Sequence, residues 1–324
     1  MSTGPTCPLC GSTASKQFVR ERLGYALWDC PACGAGFCDP FKNPGPEYYE
    51  HNQDLYSIKI DTATDPMSYE YDEALGLLRS MPQGSRLLDV GCGAGGFLHR
   101  AKQMGLSVSG IDFNSQRVKA LSDAGFSVFQ GSLPDFARGS TTPFDVVTMF
   151  EIIEHLDNIA DWLAATESVL KPGGLLIIGT PNRERRFDPF QGPGLEDIDN
   201  PPHHLTRWSQ TALKDILTRA GFQVEECRPL GYPLALTQLM LRNTLRLGLA
   251  TKALGNEQLR HTPAPNVAPA RAGAVRGLVA VKETVLNSAA TIGYPFFRAS
   301  CTAFGWQGAI LFAAARTPDD SSRK

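Results

Sequence analysis

The sequence predicts an α/β fold: a doubly wound sheet of seven strands, with a small N-terminal metal ribbon and a helical insertion before the final strand. Three observations predict it. Short apolar runs alternate with amphipathic stretches between about residues 83 and 231, the order that builds a parallel sheet with helices on both faces. A glycine-rich turn, "GCGAGG", follows the first run. Two C-x2-C pairs open the chain.

The ribbon comes first. Cys7 and Cys10 form one pair, Cys30 and Cys33 the other, with nineteen residues between them. Gly11 and Gly34 follow the pairs and suit tight knuckles that turn backbone amides toward sulfur. Four thiolates at this spacing predict a closed, structural Zn2+ site. A lobe of about forty residues buries too little apolar surface to fold unaided, so metal supplies much of its folding energy. Cys38 reads as a bystander. Lys16, Arg20, Arg22 and Lys42 form no basic stripe with interleaved aromatics, so no nucleic acid is expected and the ribbon reads as a docking or lid element.

The sheet elements follow in order. "RLLDV" is a buried strand, and "FLHRAKQMG" a helix closed by Gly105. "LSVSGID" is the second strand. "NSQRVKALSDAG" is a helix capped by Asn114 or Ser115 and ended by Gly125. "FSVFQG" and "FDVVTMF" are strands three and four, "NIADWLAATESVL" a helix, "KPGG" a turn and "LLIIGTP" strand five. The helix "SQTALKDILTRAG" leads into strand six, "GFQVEECRPLG", and "WQGAILFAAART" is strand seven. In such a sheet the ligand lies beyond the carboxyl ends of the strands.

Gly91, Gly93 and Gly95 let backbone approach a ligand at a helix N-terminus. Gly96 also satisfies G-x-G-x-x-G, the dinucleotide spacing of a dehydrogenase. Asp89 just before the loop would repel a pyrophosphate and suits a cationic, amino-bearing ligand; Asp112, ending the second strand, suits ribose hydroxyls.

Four stretches in order, "LLDVGCGAGGF", "GID", "FDVVTMFEIIEHL" and "LKPGGLLIIGTPN", resemble the class I S-adenosylmethionine-dependent methyltransferases over about residues 83–232 and again near the C-terminus. The resemblance implies a Rossmann-like sheet ending in an antiparallel hairpin, and S-adenosylmethionine as cofactor. It places Gly91, Gly93 and Gly95 against the methionine part, Asp112 on the ribose and Phe113 near adenine. Asp89, Cys92 and Phe150 complete the expected cofactor set. Ser132 stands where the family commonly has an acid reading the adenine amino group, leaving the backbone amide of Leu133 as the substitute contact and Asp135 as a weaker one.

"EIIEHL" places Glu151, Glu154 and His155 at the end of strand four, on one face if the stretch is helical. Three readings compete. Glu151 lies against the cofactor while His155 acts as general base. Alternatively the three hold a second divalent cation at the active site, completed by His203 or His204 of "PPHHLTRWS"; this pattern resembles the metal-dependent small-RNA 2′-O-methyltransferases and the ubiquinone-pathway O-methyltransferases. In the third, the pair Glu154–His155 only shapes the loop.

"CPLCG", "CPACG" and "YYEHNQDLYS" together resemble bacterial methyltransferases of sugar and polysaccharide pathways, some of which C-methylate nucleotide-linked deoxysugars. That resemblance makes Tyr48, Tyr49 and Tyr56 substrate contacts, against the simpler reading of helix packing. The reading is methyl transfer to a small-molecule acceptor, a sugar or sugar-conjugate oxygen or carbon, with anionic and nucleotide- or lipid-linked forms included. The alternatives are a quinone or phenol O-methyltransferase with metal assistance and a non-catalytic binding protein.

About 75 residues separate strands six and seven, far more than a turn needs, and within them "GLVAVKETVLNSAATIGYPFF" reads as a helix running into a turn. From Leu241 to Lys282 this insertion has seven Lys/Arg (Arg242, Arg246, Lys252, Arg260, Arg271, Arg276, Lys282) against one acid, Glu257. It reads either as a solvated helical face or as a basic, apolar cap making peripheral membrane contact through 234–300. The expected division is 1–42 ribbon, 43–82 linking helical segment, 83–231 methyltransferase domain, 232–305 cap, 306–317 final strand and 318–324 tail. A net charge of −2 gives no global pull toward nucleic acid or membrane. With no secretory leader pattern and no apolar run of about 18 residues, the expected place is the cytoplasm, with reduced or metal-bound cysteines.

Overall fold

A computed structural model describes residues 4–45, 47–48, 69–139, 142–187, 199–238, 240, 288 and 290–319. Tyr49, Tyr56, most of the linking segment and cap residues 241–287 lie outside the described residues.

Three strands, β1 (Gln17–Arg22), β2 (Tyr25–Asp29) and β3 (Gly36–Asp39), form an antiparallel meander. Helix α1 (Tyr69–Leu78) precedes the large sheet. That sheet alternates β4 (Arg86–Val90), α2 (Gly96–Gln103), β5 (Ser107–Asp112), α3 (Ser115–Asp123), β6 (Ser127–Gln130), α4 (Leu133–Gly139), β7 (Phe144–Phe150), α5 (Ile159–Val169) and β8 (Leu170–Pro181). A two-residue strand β9 (Thr206–Arg207), α6 (Gln210–Arg219), β10 (Gln223–Pro229) and β11 (Ile310–Arg316) complete the elements.

The seven-stranded sheet has the order β10-β11-β8-β7-β4-β5-β6. Its strands from β6 to β8 are parallel, and β11 is antiparallel to both β8 and β10. This is the expected Rossmann-like class with its antiparallel end. Side chains alternate across a strand, so Leu87 and Leu88, both fully buried, enter opposite layers. One layer holds α1, α2 and Leu121 of α3; the other holds α5, α6 and the cysteine knuckles. Asn114 caps α3 by accepting from the Arg117 amide at 3.0 Å, resolving the Asn114-or-Ser115 choice, and Ser209 caps α6 by accepting from Ala212 at 3.1 Å.

Three local expectations are corrected. "KPGG" is not a turn outside the strand but a bulge within β8: the register shifts between the Phe144–Leu170 and Val146–Leu175 pairs. The end of β11 absorbs its backbone groups, with Gly174 donating to Thr317 Oγ1 at 3.0 Å and Arg316 donating to the Gly173 carbonyl at 2.9 Å. "GYPFF" is not a turn, since the helix runs through it from 290 to 303. Tyr294 donates from its hydroxyl to the Tyr232 carbonyl at 2.8 Å, while Phe297 and Cys301 pack on the cluster of Tyr232 and Leu236 at helical spacing. "EIIEHL" forms a single 3-10 turn, Ile153–His155, so its three ionisable groups do not share an α-helical face. Among the described residues no helix is long and apolar enough to cross a membrane.

Leu88→Ala is expected to cost about 2–5 kcal/mol, because it opens a cavity in the central strand. Urea unfolding measures this, and a loss well under 1 kcal/mol would contradict the placement of Leu88 in the core.

Candidate functional site

The site has two halves, both at the carboxyl ends of the parallel strands. The first is built on the glycine loop between β4 and α2. The Gly91 and Cys92 amides both donate to the Ile111 carbonyl, at 2.8 and 3.0 Å, which pins the loop to β5. Gly91 has φ +74°, and a Cβ there would stand 2.1 Å from Ile152 Cδ1. The loop therefore packs directly on the acidic turn, and only glycine fits. Asp112 accepts from the Gly93 amide and the Asn114 amide, each at 2.8 Å. A carboxylate has about four acceptor sites, so about two remain for a diol. Beside it Phe113 is 45% exposed and offers a bare ring.

The other expected cofactor residues divide by burial. Asp89 is buried and accepts from Thr148 Oγ1 at 2.7 Å, across to β7. The Cys92 side chain is buried, and burial pushes its thiol well above the ordinary range, so only its backbone faces the loop's work. Phe150 packs in the core against Tyr71 and Phe97, with ring centroids 4.8 Å from each. Ser132 bonds to Asp135 at 2.5 Å and accepts the Asp135 amide at 3.1 Å. Its hydroxyl and Asp135 are thus occupied in starting α4. Leu133 buries its side chain, and its amide belongs to the first turn, where no intrahelical acceptor exists.

The second half gathers Glu151, Glu154, His155, His203 and His204. Glu151 takes φ +55°, a left-handed conformation rare outside glycine, and donates its amide to the Gly179 carbonyl at 2.9 Å. Glu154 is 1% exposed; one carboxylate oxygen accepts from Thr180 Oγ1 at 2.9 Å, and the other lies 3.9 Å from His204 Nε2. Glu151 Oε1 and Glu154 Oε1 are buried without a hydrogen-bond partner. Burial, with Glu154 and Glu70 nearby, raises the Glu151 carboxyl well above the usual range; burial also raises Glu154, against the pull of His204.

The three imidazoles converge. Their ligand atoms lie within 4.8 Å of one another. His155 Nδ1 donates to the His203 carbonyl at 2.7 Å, so that nitrogen carries a hydrogen and the ring orientation is fixed. His204 Nδ1 donates to Asp199 Oδ1 at 2.9 Å, which fixes the ring with its Nε2 toward Glu154 Oε1. Arg185 pairs with Asp199 from the other side. Burial opposes ionisation of Asp199, but His204 and Arg185 together hold it below the usual carboxylate range. Burial and His204 hold His155 down to about 3, and burial with the other two rings lowers His203, so both are neutral at pH 7. Two neutral imidazoles, a third ring oriented by Asp199 and two orphaned carboxylate oxygens fit a borderline divalent cation such as Zn2+ or Co2+. A ring held near 3 is a weak general base, which counts against that role for His155.

Asp199, Arg185 and Thr180 were not singled out by sequence. Asp199 lies five positions before His204, a spacing that follows no helical or strand period, and Thr180 lies inside an ordinary apolar strand. The four ribbon sulfurs form a separate group within 4.8 Å of one another, with Cys7–Cys33 at 3.9 Å and Cys10–Cys30 at 3.7 Å. Tetrahedral zinc at about 2.3 Å from each sulfur spaces them by about 3.8 Å, so the residues fit that ion. Cys38 stands outside this group, bonded to the Pro40 carbonyl, and burial pushes its thiol up to about 12. All eight cysteines are free thiols.

The methyltransferase domain profile matches residues 66–227. The chain is 33% identical over 175 residues to a "Ubiquinone biosynthesis O-methyltransferase" of Xanthomonas axonopodis pv. citri, covering 51% of this chain and 72% of that protein. It is 32% identical over 160 residues to the protein of the same name from Thiobacillus denitrificans, covering 46% and 69%. A crystal structure of a SAM-dependent methyltransferase from Archaeoglobus fulgidus is similar at 17% identity and a TM-score of 0.47, covering 78% of this chain and 94% of that one.

Burial lifts the Asp89 carboxyl from 3.8 to about 7. Its stabilising contribution is therefore complete below 3.8 and lost as pH rises through about 7. Asp89→Asn is expected to flatten the pH dependence of unfolding free energy across that window in cofactor-free protein. Equal slopes for parent and variant would contradict the burial argument.

Proposed function

The chain belongs to the methyltransferase domain family, and from that premise we propose that it is an S-adenosylmethionine-dependent class I enzyme that methylates a hydroxyl oxygen of a small phenolic, catechol-like acceptor. The observation that carries this reading is the convergence of His155, His203 and His204 beside the buried, partnerless oxygens of Glu151 and Glu154. The relatives named for ubiquinone biosynthesis support a phenolic oxygen ahead of the sugar acceptor.

In this reading Gly91, Gly93 and Gly95 let backbone close on the methionine part of the cofactor. Asp112 takes the ribose hydroxyls, Phe113 lies along the adenine, and the Leu133 amide meets its edge. His155, His203 and His204 would hold a divalent cation, which would supply the charge that lowers the pKa of an acceptor hydroxyl. Asp199 fixes the His204 ring, and Thr180 fixes one oxygen of Glu154. The acceptor oxygen attacks the sulfonium methyl in line. The carbon–sulfur bond breaks with its electron pair going to sulfur, and the hydroxyl proton passes to Glu151 Oε1. Holding the two reactants in line supplies much of the acceleration.

Cys7, Cys10, Cys30 and Cys33 hold a structural zinc ion. Free thiols suit the reducing cytoplasm, which is the proposed location. The division into ribbon 1–42, linking segment 43–82, methyltransferase domain 83–231, cap 232–305 and final strand 306–317 is part of the same proposal, as is peripheral membrane contact through 234–300. The ribbon ahead of the sheet supports a second reading, a sugar or sugar-conjugate acceptor. Methyl transfer from labelled cofactor to a catechol and to a nucleotide sugar, assayed side by side, decides between them.

Asp112→Ala is expected to weaken S-adenosylhomocysteine binding about tenfold to a hundredfold, the value of losing hydrogen bonds to a charged group. Titration calorimetry reads it, and unchanged affinity would remove Asp112 from the cofactor site. Asp199→Ala is expected to weaken the histidine site for added Zn2+ about tenfold to a hundredfold, as loss of a carboxylate behind a ligating imidazole does. Turnover should fall under a chelator that leaves ribbon zinc in place. Full turnover under those conditions would rule out the cation reading.

A further inference from the structure

The ribbon is joined to the histidine cluster by backbone. β3 leaves the second knuckle, where Cys30 donates to the Ala35 carbonyl at 2.9 Å, and pairs antiparallel with β9 through Gly36–Arg207 and Phe37–Thr206. The ribbon sheet is thus four-stranded, and its last strand begins two positions after His204. Cys38 donates to the Leu205 carbonyl at 3.0 Å, and Leu205 donates to the Glu154 carbonyl at 2.8 Å. From β1, Arg20 bonds to the side chain of Asn200, whose carbonyl accepts the His203 and His204 amides at 3.1 Å each. Beyond the ribbon, Asn43 donates from its side chain to the His155 carbonyl at 2.7 Å. The cofactor half takes its hydrogen-bond anchors elsewhere, from Ile111 and Asp112 of β5 and from Asn114 at the start of α3.

We propose that the cysteine ribbon is the positioning element of the acceptor half: the ion held by its four thiolates sets the register of β3 on β9, and so the place of His155, His203 and His204, independently of the cofactor half. The proposal rests on the reading of the histidines as the acceptor-side site. Its residues are positioning residues, since none of the cysteines touches the reacting atoms. Elements with their own anchors open separately, so losing the ribbon ion frees one half while the other stays closed.

Amide hydrogen exchange and S-adenosylhomocysteine titration on the full chain test it. In Cys30→Ser, exchange over 203–207 is expected to quicken at least about tenfold while the glycine loop keeps its protection. Cofactor-product affinity should stay within about twofold, as for distant independent sites, and turnover should fall through kcat. Cys30→His, which keeps four zinc ligands, should hold both exchange and kcat near the parent values. Unchanged exchange over 203–207 in Cys30→Ser would overturn the proposal. So would uniform loss of protection together with loss of product binding, which would make the ribbon a general support of the fold. If the cysteine variants do not fold, Asn43→Ala leaves the four thiols in place; it should quicken exchange over 153–157 and lower kcat, and no change in either overturns the proposal. A fully active His204→Ala beside the expected exchange pattern would instead discard the chemistry assigned to the histidines and leave the positioning intact.

Discussion

Leu205 is bonded by its backbone on both sides, to Cys38 of the ribbon and to Glu154 of the 3-10 turn. Both neighbours matter because Leu205 follows His204 directly and Glu154 precedes His155 directly. A single residue thus holds two separate stretches of chain in register, one from the end of β7 and one from the start of β9. Its side chain is buried at 1% exposure, so the two bonds run through a dry layer. Buried amides and carbonyls must find partners, which makes this arrangement costly to undo.

Around that joint the chain buries an unusual amount of charge. Glu154, Asp199 and His204 are each under a tenth exposed, and Arg185 closes the row. Desolvating such groups costs several kcal/mol each, and pairing only partly offsets it. A sheet needs no such row for stability; buried hydrocarbon would serve as well or better. Burial without full pairing, as at Glu151 Oε1 and Glu154 Oε1, is a departure that a functional site explains and packing does not. The strained backbone of Glu151 falls at the same spot, where the Gly91 loop presses on Ile152. The cofactor half meets the acceptor half through that contact.

What the sequence made legible is what short-range pattern encodes. Apolar runs located every strand of the large sheet, glycine spacing located the loop, and cysteine spacing located the ribbon. The acidic turn and the "HH" pair were legible as residues, but their meeting was not, because forty-eight positions separate His155 from His203. Asp199 and Thr180 act only through tertiary contacts, and neither sits in a local motif. β9 has two residues, too few to show any period, yet it ties the ribbon to the site. The "KPGG" bulge and the helix through "GYPFF" were misread for a related reason: glycine and proline favour turns locally, and packing against β11 and Tyr232 overrode that preference.

Two proposed metal sites of different chemistry lie on one chain: a thiolate cage that would frame the fold and an imidazole cluster that would serve the acceptor. Titrating Co2+ into metal-free protein and recording the visible spectrum tests this most directly, because thiolate and imidazole ligands give distinct bands. The account predicts two successive sites, a sulfur-rich one lost in Cys33→Ser and a nitrogen-rich one lost in His204→Ala while the first survives. A single sulfur-rich site, unchanged by His204→Ala, would contradict it.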